Sequence, residues 1–360
     1  MIKIFAPQMQ IDCYRDWFIE SEKNTDNAEF IRVTDINEIK NEKIKIAAIP
    51  MYYEQYDPEN KYNFNPTDFD LCLISDVEQT SFKLCQEWAR DKGIKKYCLA
   101  IGSLEFARVH ELPSNILYRP WWMYNLLDTN KLHTLDISEK SYNFDVLLGA
   151  KKQHRDFVMA KFQMKNMLKD NIVNYRTVFL GPYGNNNLLN EYLQKISNNI
   201  IYPYVSPNLK PEWEVRDTIE KDVSNIIPWK IYNQTKYSII CESNYENGFF
   251  ATEKTGKAFL AKRIFIVFSA ANFLSSLHDL GFKTFDGIID ESYDKETDII
   301  KRFEMAFEQI CWLSSQDYVS IMHRAMPILE HNHHHLINLR QETKQRMRKM
   351  VYNTLEEIKC

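Results

Sequence analysis

Short runs of consecutive apolar residues alternate along the chain with segments whose apolar residues have helical spacing. In the first third of the chain, these runs predict strands over residues 2–5, 30–33, 44–49, 71–75 and 97–101. Residues 78–92 place Phe82, Cys85 and Trp88 on one face of a helix that Gly93 ends. Strands that alternate with helices in this way predict a parallel sheet covered by helices.

The same alternation resumes after a polar stretch at residues 128–141. Further strands are predicted over residues 144–148, 177–181, 237–241 and 264–268, with helices near 155–169 and 186–197. We therefore expect an α/β protein with two Rossmann-like domains. The predicted segments are an N-terminal domain (1–130), a linker (131–142), a second domain (143–325) and a helical tail (326–360).

Composition narrows the class of protein. A chain of 360 residues is long enough for two domains, and its 44% hydrophobic and 26% charged residues are typical of globular proteins. The formal net charge of −4 gives no general attraction to nucleic acid. Seven cysteines without a C-x-x-C pair suggest reduced thiols. No apolar run approaches the roughly 20 residues of a membrane helix, and the first ten residues lack a signal-peptide core. We expect a cytoplasmic protein without stable membrane insertion.

One segment gathers a carboxylate, an aromatic ring and a cation where a predicted strand passes into a helix. Glu242 follows the strand, and Phe250, Thr252, Glu253 and Lys254 lead into the helix. The free N–H groups and the dipole at a helix N-terminus attract phosphate. A ring to stack a base, a carboxylate for ribose hydroxyls and a lysine for a diphosphate would together form a nucleotide site. The structural alternative is a capping threonine followed by a solvated Glu-Lys pair.

A second segment carries a basic run after the strand predicted at 144–148. Lys151, Lys152, His154 and Arg155 lead from this strand into the next helix. The planar fork of arginine can bind two phosphate oxygens and stays charged. Cations near a helix N-terminus are repelled by the positive end of the helix dipole unless an anion binds between the cations and the helix. This segment therefore also indicates phosphate binding, and a basic solvated helix start is its alternative.

Both segments resemble donor-binding motifs of the α-1,3-fucosyltransferase family. That family carries Glu-Asn-Ser, a short loop and Tyr-x-Thr-Glu-Lys, to which residues 242–244 and 250–254 are similar, with Phe250 in place of the tyrosine. Its upstream Asn-x-x-Arg-x-x-Phe motif is similar to residues 155–157, although the asparagine is missing here. The resemblance covers these two windows and leaves most of the chain unmatched.

The resemblance implies roles for individual residues. It implies that Phe250 lies by the base, that Glu253 binds ribose and that Arg155 and Lys254 bind the diphosphate, with Glu242 and Thr252 in the same donor site. It also implies the GT-B architecture, in which two Rossmann-like domains face a cleft. Because two cations and a helix N-terminus can stabilise the leaving diphosphate, we expect neither a metal nor a cofactor besides the nucleotide-sugar co-substrate.

Sugar transfer also needs a carboxylate that makes the acceptor hydroxyl nucleophilic. Three candidates follow predicted strands of the first domain: Asp76, Glu78 and Glu105. In the fucosyltransferases the base lies in a Gly-Glu-x-Glu stretch, which residues 102–105 resemble without the first glutamate. We therefore rank Glu105 first, Asp76 second and Glu78 third, and a solvated or helix-capping carboxylate is the alternative for each.

The sequence thus predicts a metal-independent glycosyltransferase, inverting by family resemblance, that uses a GDP- or UDP-sugar and a hydroxyl acceptor. A bacterial surface glycan is the first expectation for the acceptor. The alternative is a phage-type enzyme that modifies hydroxymethylated bases of DNA in the host cytoplasm, against which the acidic net charge argues. A second alternative is a non-catalytic nucleotide-sugar-binding protein. The absence of G-x-G-x-x-G and Walker A sequences argues against dinucleotide and P-loop enzymes.

Overall fold

The chain divides into two compact units, each built around one sheet. A computed structural model describes residues 2–6, 30–50, 64–75, 82–101, 112–118, 138–175, 185–196, 200–207, 209–210, 227–246 and 248–360. One unit consists of Met1–Leu127 with Asn338–Cys360, and the other of Asp128–Ile337. The predicted fold class, α/β with two Rossmann-like domains, is confirmed.

The sheet of the first unit is parallel throughout. Its strands are β1 (Ile2–Phe5), β2 (Phe30–Val33), β3 (Ile46–Pro50), β4 (Leu71–Ser75), β5 (Tyr97–Ile101) and β6 (Ile116–Tyr118), in the order β2-β1-β3-β4-β5-β6. Helix α1 (Phe82–Asp91) lies between β4 and β5 in the chain. Strands β4 and β5 are buried on both faces, which explains why continuous apolar runs predicted them correctly. The three-residue strand β6 is too short for such a signal.

The sheet of the second unit carries the candidate site. Its strands are β7 (Tyr142–Leu148), β8 (Ile172–Tyr175), β9 (Tyr204–Val205), β10 (Thr235–Cys241) and β11 (Phe265–Phe268), in the order β11-β10-β7-β8-β9. Only β9, within the described ranges, is antiparallel to its neighbour in this sheet. The helices are α2 (Gln153–Met164), α3 (Asn187–Ile196), α4 (Trp229–Tyr232), α5 (Glu253–Leu260), α6 (Phe273–Asp279), α7 (Ile299–Ser314) and α8 (Tyr318–Lys359).

The connections of β7 and β10 run in opposite directions. From β7 the chain passes through α2 to β8 on one side, and from β10 it passes through α5 to β11 on the other side. Since β7 and β10 are parallel neighbours, their carboxyl ends form the topological switch point of this sheet. Ligands of open α/β sheets bind in the crevice at such a point. The two motif segments of the sequence follow these two strands.

A buried ion pair joins the strands that flank the switch point. Arg263 Nη2 lies 2.8 Å from Asp145 Oδ2 of β7, and both side chains are buried. The same carboxylate accepts hydrogen bonds from Ser238 Oγ (2.8 Å) and Thr235 Oγ1 (3.1 Å) of β10. Arg263 Nη1 also donates to the carbonyls of Tyr232 and Thr235. This network fixes β10 against β7.

One predicted helix differs from the structure in its length, and one observed strand was not predicted. The helix predicted over residues 155–169 spans 153–164, because Asn166 takes a left-handed conformation (φ 54°) that asparagine tolerates and that ends helices. The strand predicted over 177–181 lies outside the described residues. The structure also has β8 at Ile172–Tyr175, a buried segment that the sequence analysis assigned to no element.

The C-terminal segment 326–360 is helical up to Lys359. It belongs to helix α8, which spans Tyr318–Lys359 and contributes residues to both units. Its apolar residues Met347, Met350, Val351 and Leu355 are buried in the core that covers one face of the first sheet. Apolar residues at helical spacing explain why this part packs against the sheet. Strand β7 likewise begins inside the predicted linker, and the other predicted boundaries stay predictions.

No helix in the described part of the chain combines the length and the apolar character that a membrane crossing requires.

Candidate nucleotide site

Side chains from four other positions hold the loop that follows β10. Four successive backbone carbonyls of this loop each accept a hydrogen bond from a side chain. The pairs are Glu242 O with His154 Nε2 (2.8 Å), Ser243 O with Lys152 Nζ (2.9 Å), Asn244 O with Ser269 Oγ (3.1 Å) and Tyr245 O with Arg302 Nη2 (3.2 Å). A loop fixed at four successive carbonyls is preorganised for a ligand that binds at its surface.

A second network ties the loops after β7, β8 and β10 together. Tyr245 Oη donates to Gln153 Oε1 (2.6 Å), and Asn186 N donates to the same oxygen (3.0 Å). Gln153 Nε2 in turn donates to Asn186 O (2.9 Å). The ring of Tyr245 also stacks on His154 with centroids 4.2 Å apart. The carboxyl end of the sheet is therefore rigidly connected across three strands.

Glu242 lies beneath the start of helix α5. Its side chain is fully buried, Oε1 accepts hydrogen bonds from Thr252 N (3.0 Å) and Thr255 Oγ1 (2.6 Å), and Oε2 accepts one from Thr252 Oγ1 (2.5 Å). Thr252 is the N-cap residue of α5. The structure thus gives Glu242 a role in holding the helix N-terminus, and its predicted contact with a nucleotide stays a prediction.

We expect Glu242→Gln to lower the free energy of unfolding by about 2 kcal/mol, since an amide nitrogen cannot accept the hydrogen bond that a buried hydroxyl donates. Urea denaturation measures this change. Glu246→Gln is the matched control, because Glu246 is exposed on the same loop, and we expect its effect to stay within about 0.5 kcal/mol. Equal stability of wild type and Glu242→Gln would show that the hydrogen bonds of Glu242 to Thr252 and Thr255 do not stabilise α5.

Lys254 is anchored at the start of α5 by groups on both sides. Its Nζ lies 2.9 Å from Thr252 Oγ1, 3.4 Å from Ser243 Oγ and 3.3 Å from Glu253 Oε1. Glu242 Oε2 is 3.8 Å away, and 23% of the lysine side chain is exposed. Burial would raise the pKa of Glu253, but the charges of Lys254 and Lys257 lower it below its ordinary value. Glu253 is therefore an ionised acceptor beside the partly buried ammonium group of Lys254.

Arg155 lies on the first turn of α2 and is only 4% exposed. Its Nη1 donates to Ala150 O (2.6 Å), whereas its buried Nε has no hydrogen-bond partner. No carboxylate within the described ranges lies within ion-pair distance of this guanidinium. A buried charge without a counter-charge is costly, so buried arginines normally pair with an anion. The environment of Arg155 therefore indicates an anionic ligand.

The charges of Arg155 and Lys254 act on the same groups. Burial raises the pKa of the Cys241 thiol, at the end of β10, to about 12, and both cations act to lower it. Burial, followed by the charges of Arg155, Lys152 and Lys254, lowers the pKa of His154 well below its ordinary value. His154 is therefore neutral, and its Nε2 carries the proton that it donates to the Glu242 carbonyl. The charges of Arg155 and Lys254 thus both reach the end of β10, where the buried Glu242 carboxylate opposes them.

The remaining predicted site residues fall into two groups. Phe250 is half-buried in the loop before α5. The three candidate bases, Asp76, Glu78 and Glu105, lie outside the described residues and stay predictions.

Within the described ranges, no group of three histidine, cysteine, aspartate or glutamate side chains is arranged to hold a metal ion.

Sequence reasoning missed the residues that position the loop after β10. Ser269 lies 25 residues after Asn244, whose carbonyl it binds, and Arg302 lies 57 residues after Tyr245, whose carbonyl it binds. No local pattern marks such contacts, because Ser269 directly follows β11 and Arg302 lies on the buried face of α7, both far from the loop in the chain. Gln153 belongs to the basic segment, but its bridging role depends on two other loops.

Comparisons with known proteins give one likeness of fold. No protein-family model matches the chain, and no curated protein sequence matches it, so membership of the fucosyltransferase family stays a prediction. The chain is similar to a crystal structure of the DNA modifying enzyme β-glucosyltransferase, solved in the presence and absence of its substrate uridine diphosphoglucose. Sequence identity is 10%, the TM-score is 0.42, and the match covers 98% of this chain and 99% of that one. We draw no conclusion about activity from a likeness of this size.

Proposed function

We propose that this protein is a glycosyltransferase that binds a nucleotide diphosphate sugar at the switch point between β7 and β10. One observation carries the proposal: Arg155 is buried without a carboxylate partner among the described residues, and its charge acts on the same thiol as that of Lys254. Two cations at the starts of two helices match the two phosphates of a diphosphate. The absence of a G-x-G-x-x-G sequence argues for a nucleotide diphosphate rather than a dinucleotide.

The same arrangement suits departure of a diphosphate from a sugar. Negative charge builds up on the phosphate oxygens as the glycosidic bond breaks, and preorganised cations stabilise this charge most. In the proposal, Arg155 and Lys254 perform this task without a metal ion. Glu253 would bind the ribose hydroxyls through its ionised carboxylate, and Phe250 would lie by the base. Glu105, then Asp76 and Glu78, remain the proposed bases for an inverting transfer.

A panel of nucleotides tests the donor site. A ligand that binds only the folded protein at 100 times its dissociation constant stabilises it by about 2.7 kcal/mol, which raises the melting temperature. We expect UDP or GDP, and the matching nucleotide sugar, to raise the melting temperature of wild type, and the uncharged nucleosides to leave it unchanged. If no nucleotide diphosphate changes the melting temperature of a folded sample, the proposed function is wrong.

Two transfer assays with different acceptors, run in parallel, identify the acceptor. One arm supplies GDP-fucose with bacterial surface glycans, and the other supplies UDP-glucose with DNA that contains hydroxymethylated bases. The similar solved structure is that of a DNA modifying enzyme whose substrate is uridine diphosphoglucose, and the second arm uses the same sugar nucleotide with DNA. Release of nucleotide diphosphate that depends on the acceptor identifies the reaction. Tight donor binding without release in either arm would favour the non-catalytic binding protein.

A further inference from the structure

We propose that Lys152 is a third cation of the diphosphate site and that the neighbouring Lys151 is not part of it. This inference rests on the proposed function and names a further binding residue. The sequence gives the two lysines the same charge and adjacent positions in one loop. The structure distinguishes them, because their side chains contact different neighbours.

Lys152 reaches across the switch point. It is the N-cap residue of α2, with an extended backbone (φ −148°, ψ 152°) and no capping hydrogen bond from its side chain. Its Nζ donates to Ser243 O at 2.9 Å, so this ammonium group, which belongs to the loop after β7, lies against the loop after β10. Lys152 thus links the two loops that carry the other two cations.

Lys152 and Lys254 approach the same residue from opposite loops. The carbonyl of Ser243 accepts from Lys152 Nζ at 2.9 Å, and the hydroxyl of Ser243 lies 3.4 Å from Lys254 Nζ. An anion bound beside Ser243 could therefore contact both ammonium groups, although Glu253 and Glu242 already balance part of the charge of Lys254.

The charge of Lys152 also reaches the groups that the other two cations reach. After burial, the charges of Arg155, Lys152 and Lys254 together lower the pKa of His154, whose Nε2 is bonded to Glu242 O. The buried Nδ1 of this imidazole has no hydrogen-bond partner. The charges of all three cations thus act on one neutral histidine at the carboxyl ends of β7 and β10.

Lys151 lies in a different environment. Its Nζ is 5.0 Å from the centroid of the Tyr202 ring, and Tyr202 packs edge-on against Tyr175 at the end of β8. A cation over an aromatic ring is already stabilised without a ligand. Lys151 therefore serves as the matched control for Lys152.

Calorimetric titration with UDP and GDP tests the assignment on wild type, Lys152→Met, Lys151→Met and Lys152→Arg. We expect Lys152→Met to raise the dissociation constant about 10-fold and to reduce its dependence on salt concentration, since one charged contact to phosphate is lost. Lys151→Met should change the dissociation constant less than about 2-fold, and Lys152→Arg should retain most of the affinity because the charge is kept. Melting temperatures verify that each variant is folded, and Lys152→Gln replaces Lys152→Met if the latter does not fold.

The outcomes separate this inference from the proposed function. If wild type binds neither UDP nor GDP, the proposed function fails and Lys152 has no diphosphate to bind. If wild type binds and both methionine variants bind equally well, only the assignment of Lys152 fails. Equal losses in both variants would also overturn it, because a general positive field would then explain the affinity without a specific contact.

Discussion

Arg155→Gln is expected to raise the dissociation constant for UDP or GDP about 100-fold, because charge-assisted hydrogen bonds to phosphate are lost at a site with little access to water. The guanidinium is 4% exposed and donates to Ala150 O through Nη1. Its buried Nε has no hydrogen-bond partner. Calorimetric titration of both proteins with the same nucleotide measures the difference.

Arg155→Gln should weaken nucleotide binding without destabilising the ligand-free protein. Arg155 is a buried charge without a carboxylate partner in the described part of the chain, so a neutral glutamine should leave the free energy of unfolding unchanged or raise it by about 1 kcal/mol. Urea denaturation without nucleotide tests this expectation. Arg155→Lys is the matched control, since it keeps the charge but loses the planar fork, and its affinity should lie between the other two. Loss of stability with unchanged affinity would make Arg155 a structural residue.

Asp145→Ala is expected to lower the free energy of unfolding by about 3–5 kcal/mol, because it leaves the buried Arg263 without its counter-charge. Asp145 Oδ2 accepts from Arg263 Nη2 at 2.8 Å and from the hydroxyls of Thr235 and Ser238. Burial raises the pKa of Asp145, and the charge of the nearby Arg263 guanidinium acts to lower it. Chemical denaturation measures the loss.

A neighbouring ion pair provides the control for this prediction. Lys262 pairs with Glu330 at 2.7 Å, but 40% of the Glu330 side chain is exposed. The Lys262 side chain is 17% exposed, so this pair is partly solvated, and Lys262→Met should be less destabilising than Asp145→Ala, which leaves a buried charge unpaired. The double variant Asp145→Leu with Arg263→Met should recover much of the loss, because it removes both buried charges. Similar losses for Asp145→Ala and Lys262→Met would contradict the role of the buried network.

The sequence predicted those parts of the fold that local patterns encode. Continuous apolar runs located β4 and β5 at their observed residues, and the Thr-Glu-Lys sequence located the start of α5. Strand β8 was missed because its four residues, two of them polar or aromatic, gave no apolar run. The packing of α8 on the first sheet was missed because the contact joins segments far apart in the chain.

The site was predictable in composition but not in arrangement. Sequence reasoning collected Arg155, Glu242 and Lys254, because each directly follows a strand or opens a helix. It could not show that hydroxyl and amide donors of α5 occupy both oxygens of Glu242, or that Lys152 and Lys151 contact different neighbours. Those facts depend on side-chain directions that only the folded chain determines.

The central claim is that one diphosphate binds both Arg155 and Lys254 at the carboxyl ends of β7 and β10. A crystal structure of the protein with bound UDP or GDP tests it most directly. We predict phosphate oxygens within about 3 Å of the Arg155 guanidinium and of the Lys254 ammonium group in the same complex. A diphosphate bound at another place on the protein, or held by only one of these two side chains, would contradict the account.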